Sequence, residues 1–269
     1  MELGFDRDVV FITGGSKGIG LESAKLFAEE GCSVAIVARD GAVVDQAVAE
    51  IDACGPGEVL GLTGDMTRTE DVEATVEATL ERLGRIDTLV TCAGSSPGGS
   101  LEDLSEEQWY ASLHLKFMGY VRACRAVLPH MRERGSGTVV LVVGNDGLKP
   151  IHFEVTAGAA NAADHNFAAA IAEEYGKHGI RVNTVNPGPV DTDRWDLLEK
   201  KIAETRGISQ AEAREFVSSS IPLGRICTAG EVANLVVFLA SPRASFVNGT
   251  HLIVDGGQRK ALMDVPVGG

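Results

Sequence analysis

Basic charge is scarce. Lysine and arginine total 24 against 38 acidic residues, a net charge of −14 over 269 residues. Such a balance argues against a nucleic-acid partner, whose phosphates call for basic surfaces, and against an anionic membrane surface. Aromatic residues make up only 5%. No apolar run approaches the roughly 18 residues of a membrane span. The opening segment, Met1-Glu2-Leu3-Gly4-Phe5-Asp6, lacks the basic and then apolar regions of a secretory signal. The five cysteines (Cys32, Cys54, Cys92, Cys124 and Cys227) are scattered, with no metal-like spacing. Free thiols in a reducing cytoplasm are therefore expected, and no metal site.

What is present is a chain 44% hydrophobic and 23% charged. That suits one α/β domain over 1–269 with a substantial core. Apolar runs at 9–12, 33–38, 58–62, 87–91, 138–143, 180–185 and 251–254 alternate with helical stretches. The helical stretches fall near 19–30, 42–53, 69–83, 105–134, 155–177 and 230–240. Several runs lack polar alternation, as strands covered on both faces should. The βαβ alternation predicts a doubly wound parallel sheet of seven strands, a Rossmann fold with helices on both faces. The alternation breaks at 191–228, which carries Trp195, Glu199-Lys200-Lys201 and a helix-like stretch from Gln210 to Phe216. This segment reads either as a lid over a substrate pocket or as a surface excursion that only packs. Trp195, Leu197, Leu198 and Phe216 would give such a pocket an apolar side.

The most specific local signal is Thr13-Gly14-Gly15-Ser16-Lys17-Gly18-Ile19-Gly20, set between the first strand and a helix. Strand, glycine-rich turn and helix form a dinucleotide-binding pattern. Gly14 permits a tight turn, Gly18 lets the backbone approach a pyrophosphate, and Gly20 lets helix and strand pack closely. The pyrophosphate then meets free N–H groups and the positive end of the helix dipole.

With this motif in place, further short motifs follow in order. They are Gly64-Asp65-Met66, Cys92-Ala93-Gly94, Ile180-Arg181-Val182-Asn183, the loop from Asn186 through Pro187, Gly188, Pro189, Val190 and Asp191 to Thr192, and Val254-Asp255-Gly256-Gly257. Together they resemble the short-chain dehydrogenase/reductase family over nearly the whole length. The resemblance implies that Asp65 binds the adenine ring, that Ala93 and Gly94 flank the cofactor, and that the 186–192 loop contacts the nicotinamide. At the end of the second strand, NAD-preferring members carry an acidic residue for the ribose 2′-hydroxyl. Here that position is Ala38, followed by Arg39, with Lys17 in the glycine loop. Two cations suit a 2′-phosphate, so NADP(H) is expected over NAD(H). The alternative is that Arg39 stacks on adenine and Lys17 is solvated.

The family's chemistry uses a tyrosine, a lysine four residues later, a serine, and an asparagine on the preceding long helix. Counting back from Ile180-Arg181-Val182-Asn183 puts Ala157 at the tyrosine, Asn161 at the lysine and Gly144 at the serine position. The asparagine position is Lys116, three residues before Gly119. The usual proton relay cannot operate with these residues. Yet the site keeps one ammonium and one amide, exchanged between the two helices. On this reading Lys116 supplies positive charge near the nicotinamide ribose and Asn161 binds the ribose hydroxyls. The alternative is coincidence, with Lys116 paired to a nearby acid. Candidate proton donors are His152, in the loop after the fifth strand, Asp146, which with Asn145 follows Gly144, and Lys116 itself. An exposed loop residue is the competing reading of His152.

Three functions remain open on the sequence. One is an NADP(H)-dependent oxidoreductase acting on a carbonyl or alcohol of a small-molecule substrate through a rearranged site. Another is a catalytically silent dinucleotide-binding regulator or scaffold. The last is a cofactor-dependent enzyme performing a non-redox step. The family resemblance implies a homodimer or homotetramer through the long helices, with Ala261 to Gly269 as part of a second interface.

Overall fold

The computed structural model describes residues 2–152 and 154–258, so the expectation for Ala261 to Gly269 lies outside the described residues. The first half alternates β1 (Val9–Thr13), α1 (Gly18–Glu29), β2 (Ser33–Ala38), α2 (Gly41–Asp52), β3 (Val59–Thr63), α3 (Thr69–Leu83) and β4 (Thr88–Thr91). Then come α4 (Glu106–Ser112), a π-helical turn (Leu113–Phe117), α5 (Met118–Arg134) and β5 (Gly137–Val142). A 3-10 turn (Asn145–Gly147) leads to α6 (Val155–Gly176) and β6 (Ile180–Pro187). The chain continues with β7 (Val190–Asp191), α7 (Asp193–Arg206), α8 (Gln210–Ser219), β8 (Cys227–Thr228), α9 (Ala229–Ala240) and β9 (His251–Val254).

The expected sheet is present: seven parallel strands in the order β3-β2-β1-β4-β5-β6-β9. Period-two alternation along the strands divides the core between its faces. Val10, Ile12, Val34, Ile36, Val140 and Val185 pack on one side with α1, α2 and α9. Phe11, Ala35, Val37, Leu89, Val139 and Leu141 pack on the other with residues of α3, α5 and α6. The order reverses between β1 and β4, and a doubly wound sheet opens its crevice at that point, beyond the strands' C-terminal ends.

Two sequence expectations are refined. The stretch 105–134 is not one regular helix. Ser105 and Gln108 form a capping box at the start of α4, and the π turn then separates α4 from α5. The widened turn buries Lys116. Segment 191–228 forms two helices with an apolar cluster of their own, in which Trp195, Ile202, Ala213, Val217 and Ile221 pack with Ile151. Trp195 donates its indole N–H to Glu199, which also meets Arg214 at 3.3 Å. Among the described residues, no helix is long and apolar enough to cross a membrane.

Candidate active site

The glycine loop lies at the C-terminal end of β1. Gly14 has a φ of +70°, and a Cβ there would sit 2.7 Å from the Ala93 amide nitrogen. A Cβ on Gly20 would overlap the Gly14 carbonyl oxygen. These contacts hold loop, helix and β4 at a spacing that only glycine permits. Lys17, at the N-cap of α1, makes no side-chain cap, which leaves the first-turn N–H groups available to an anion. Its ammonium lies 3.5 Å from Asp193 at the start of α7, with both groups exposed. Arg39 is exposed at the end of β2.

Asp65 is half-buried, and its Oδ1 accepts from the amide and hydroxyl of Thr67. Burial opposes its ionisation, but the Thr67 bonds and the charges of Arg39 and Arg68 hold the carboxyl below its ordinary range. Met66 is buried, and its carbonyl accepts from Arg122.

A cleft of about 190 Å³ opens beyond β4, β5 and β6. Ile19, Gly94, Pro187, Gly188, Val190 and Thr192 line it, together with Lys116, Asp146 and Asn161. Trp195 and Leu198 of α7 close one side. Leu197 is 71% exposed, and Phe216 packs within the α7–α8 cluster under the Arg206 guanidinium, so these two do not line the cleft. His152 is exposed and is not among the lining residues.

Lys116 is 4% exposed and Asn161 is 1% exposed. The lysine stem packs across Gly94. Asn161 donates to Asp146 Oδ1, while its own Oδ1 is buried with no protein partner. A buried acceptor left open at a cleft suits a ligand hydroxyl, because an unsatisfied amide oxygen is costly.

Gly144 explains how this pair fits. Its φ is +153°, and a Cβ there would lie 2.5 Å from Asn161 Nδ2 and 2.8 Å from Asp146 Oδ1. The missing side chain therefore makes room for the Asp146–Asn161 hydrogen bond. Behind the 3-10 turn, Asn145 donates to Asp255 and Gln258, and Lys149 bonds Asp255 and the Gln258 carbonyl. This clamp ties the turn that carries Asp146 to the chain just past β9.

Two residues escaped the sequence reading. Glu154, three positions before Ala157, is half-buried and lines the cleft. Asp164 is fully buried on α6, one helical turn beyond Asn161, and neither carboxyl oxygen has a hydrogen-bond partner. Burial pushes its pKa up to about 8, against the charge of Lys116. An acid among the alanines of α6 was the available signal, but a lone acid on a helix usually marks a solvated face. His165 is also buried; its ring bonds Asn186, and burial holds its pKa below the usual value.

Sheet order, glycine loop and cleft define an α/β protein of the dinucleotide-binding class. Residues 14–259 match the family model described as enoyl-(acyl carrier protein) reductase. The chain belongs to the short-chain dehydrogenase/reductase family. It is 33% identical over 262 residues to the short-chain reductase protein NovJ of Streptomyces niveus, covering 94% of each chain. The L-sorbose reductase of Gluconobacter frateurii, solved with NADPH and L-sorbose, superposes with a TM-score of 0.91 at 32% identity, over 98% of this chain and 100% of that one. An actinorhodin polyketide ketoreductase solved with NADPH gives 0.91 at 31% identity, over 94% and 97%.

Proposed function

We propose that the protein is an NADP(H)-dependent oxidoreductase that interconverts a carbonyl and an alcohol on a small-molecule substrate through a rearranged active site. The observation that carries this reading is the meeting of Lys116, from the π turn, with Asn161 and Asp146 in one cleft beyond the C-terminal strand ends. The related structures solved with NADPH support the choice of cofactor. When bound, NADP(H) supplies or accepts the hydride.

The chain's own residues then divide the remaining work. The Ser16–Gly20 turn, including Ile19, receives the pyrophosphate. Arg39 binds the 2′-phosphate, joined by Lys17 once it leaves Asp193. Asp65 and Met66 border the adenine, while Ala93 and Gly94 border the ribose side. Pro187, Gly188, Val190 and Thr192 hold the nicotinamide. Asn161 Oδ1 would accept from a ribose hydroxyl, and Lys116, which lines the same cleft, would bring positive charge to that end. Asp146, held by Asn161, exchanges the proton with the substrate oxygen. Residues 191–228 act as a lid, with Trp195 and Leu198 excluding water. A homodimer or homotetramer in the cytoplasm completes the reading.

The absence of a hydroxyl at positions 144 and 157 favours a second reading, a catalytically silent dinucleotide binder. Cofactor titration followed by a carbonyl and alcohol panel separates the two. Turnover that falls in Asp146→Asn supports the enzyme. Firm NADPH binding with no turnover across the panel supports the silent protein, and no dinucleotide binding at all overturns both.

A further inference from the structure

Trp195 is the aromatic side chain that α7 brings to the cleft. It is 4% exposed, and its indole N–H donates to Glu199, one helical turn further along α7. The indole has no other hydrogen-bonding atom, so what it shows the cleft is carbon alone. Leu198, Ile151 and Pro189 line the same cleft and add apolar surface to it. Asp146, the proposed proton donor, lines it too. A carbonyl held near that carboxyl therefore has an aromatic wall within the same enclosure.

The ring is held at a cost. Glu199 is 2% exposed, and a carboxylate taken out of water loses much of its hydration. Its ionic partner is Arg214 of α8, at 3.3 Å. The same guanidinium reaches Asp191 at 2.7 Å. Asp191 belongs to β7 and directly follows Val190 of the proposed nicotinamide loop. The contacts thus run from the indole through Glu199 and Arg214 to that loop. A lid that only excluded water could place leucine or phenylalanine among Ile202, Val217 and Ile221, with no acceptor to bury. Burying a carboxylate for one indole N–H makes sense where the angle of the ring matters.

We propose that the substrate carries an aryl ring beside its reacting carbon, as in an aryl ketone or the matching benzylic alcohol. Trp195 packs against that ring, and Glu199 and Arg214 are positioning residues that fix the indole. The contact is stacked or edge-on, and either arrangement rewards an aromatic ring over a saturated one of the same skeleton. The inference rests on the carbonyl–alcohol reading of the cleft and narrows it to a substrate class.

The test compares acetophenone with cyclohexyl methyl ketone, which share a skeleton and differ in the ring. Each is titrated by ligand-observed NMR into the full chain saturated with NADP⁺, a form that cannot reduce a ketone. Acetophenone should bind about twofold to tenfold more tightly. Trp195→Leu should erase that preference. Glu199→Leu should lower it by weakening acetophenone alone, whereas a purely structural role would weaken both ketones alike. Glu199→Gln keeps an acceptor for the indole N–H and should retain the preference. If a leucine variant folds poorly, Trp195→Met removes the ring while keeping a large apolar side chain. Equal or reversed affinities in the unmodified protein overturn the proposal. So does a preference that survives loss of the Trp195 ring, or NADP⁺-loaded protein that binds neither ketone. Failure of NADP⁺ itself to bind instead overturns the cofactor reading on which the proposal stands.

Discussion

Introducing a serine at Gly144 would restore the hydroxyl that the family resemblance implies for this position, and it should do damage. The new Cβ would sit 2.5 Å from Asn161 Nδ2 and 2.8 Å from Asp146 Oδ1, so the Asp146–Asn161 hydrogen bond must open. A buried hydrogen bond to a charged group contributes about 1.5–3 kcal/mol. The backbone adds a second cost. At φ +153°, a residue with a Cβ is held in a region that costs on the order of 1–3 kcal/mol. The sum, roughly 2.5–6 kcal/mol, should lower the melting temperature of a domain this size by about 5–12 °C, at about 2 °C per kcal/mol. Thermal unfolding of G144S, N161A and the double variant measures both parts. With Asn161 truncated there is less to displace, so the serine should cost less in the double variant than alone. The coupling should recover about 1 kcal/mol or more. Strict additivity, or a G144S protein that melts within a degree of the parent, would refute the idea that Gly144 exists to admit this pair.

Other outcomes follow from the same geometry. Arg39→Ala should weaken NADPH by about tenfold to a hundredfold, the worth of a charge-assisted contact, while leaving NADH nearly unchanged; equal affinity of the parent for both nucleotides by calorimetry would overturn the assignment. Simple ketones should be reduced slowly or not at all, and Asp146→Asn should lower whatever turnover is found by about 10²–10⁴-fold. In the pH–rate profile a changed limb in His152→Ala would move the proton donor to the exposed loop and away from Asp146. Asp164 should also shape stability. Its folded pKa of about 8 exceeds the ordinary value of 3.8, so the unfolded chain ionises first as pH rises. Its contribution is therefore greatest below pH 4 and is lost progressively up to about pH 8. Asp164→Asn should flatten that fall in urea midpoints, and an unchanged slope would count against a buried, protonated carboxyl.

The fold was legible because its signals are local and repeated. Apolar runs such as Val9–Ile12 and Ser33–Ala38 are too short and too purely apolar for anything but buried strands, and the glycine spacing marks the first crossover. The site was legible only in part. Counting from fixed motifs singles out Lys116 and Asn161, which line one cleft, but the π turn that buries Lys116 leaves no periodic trace, since it widens the helix by only one residue. Gly144 reads as a loss in the sequence. Its meaning depends on a backbone angle and on two side chains, Asp146 in the turn that follows and Asn161 on α6. Glu154 and Asp164 were passed over because burial of a lone acid is set by what packs over it. Nothing at positions 154 and 164 themselves records the cleft or the covering π turn.

The clamp from Asn145 and Lys149 to Asp255 and Gln258 has a consequence for synthesis. The turn carrying Asp146 is made some 110 residues before the groups that pin it, which lie just past β9. A chain still emerging from the ribosome can form β1 to β6 and their helices, yet it lacks the carboxylate that Lys149 and Asn145 share. The turn carrying Asp146 therefore gains these four bonds only after residues 255–258 have been made and have docked against it.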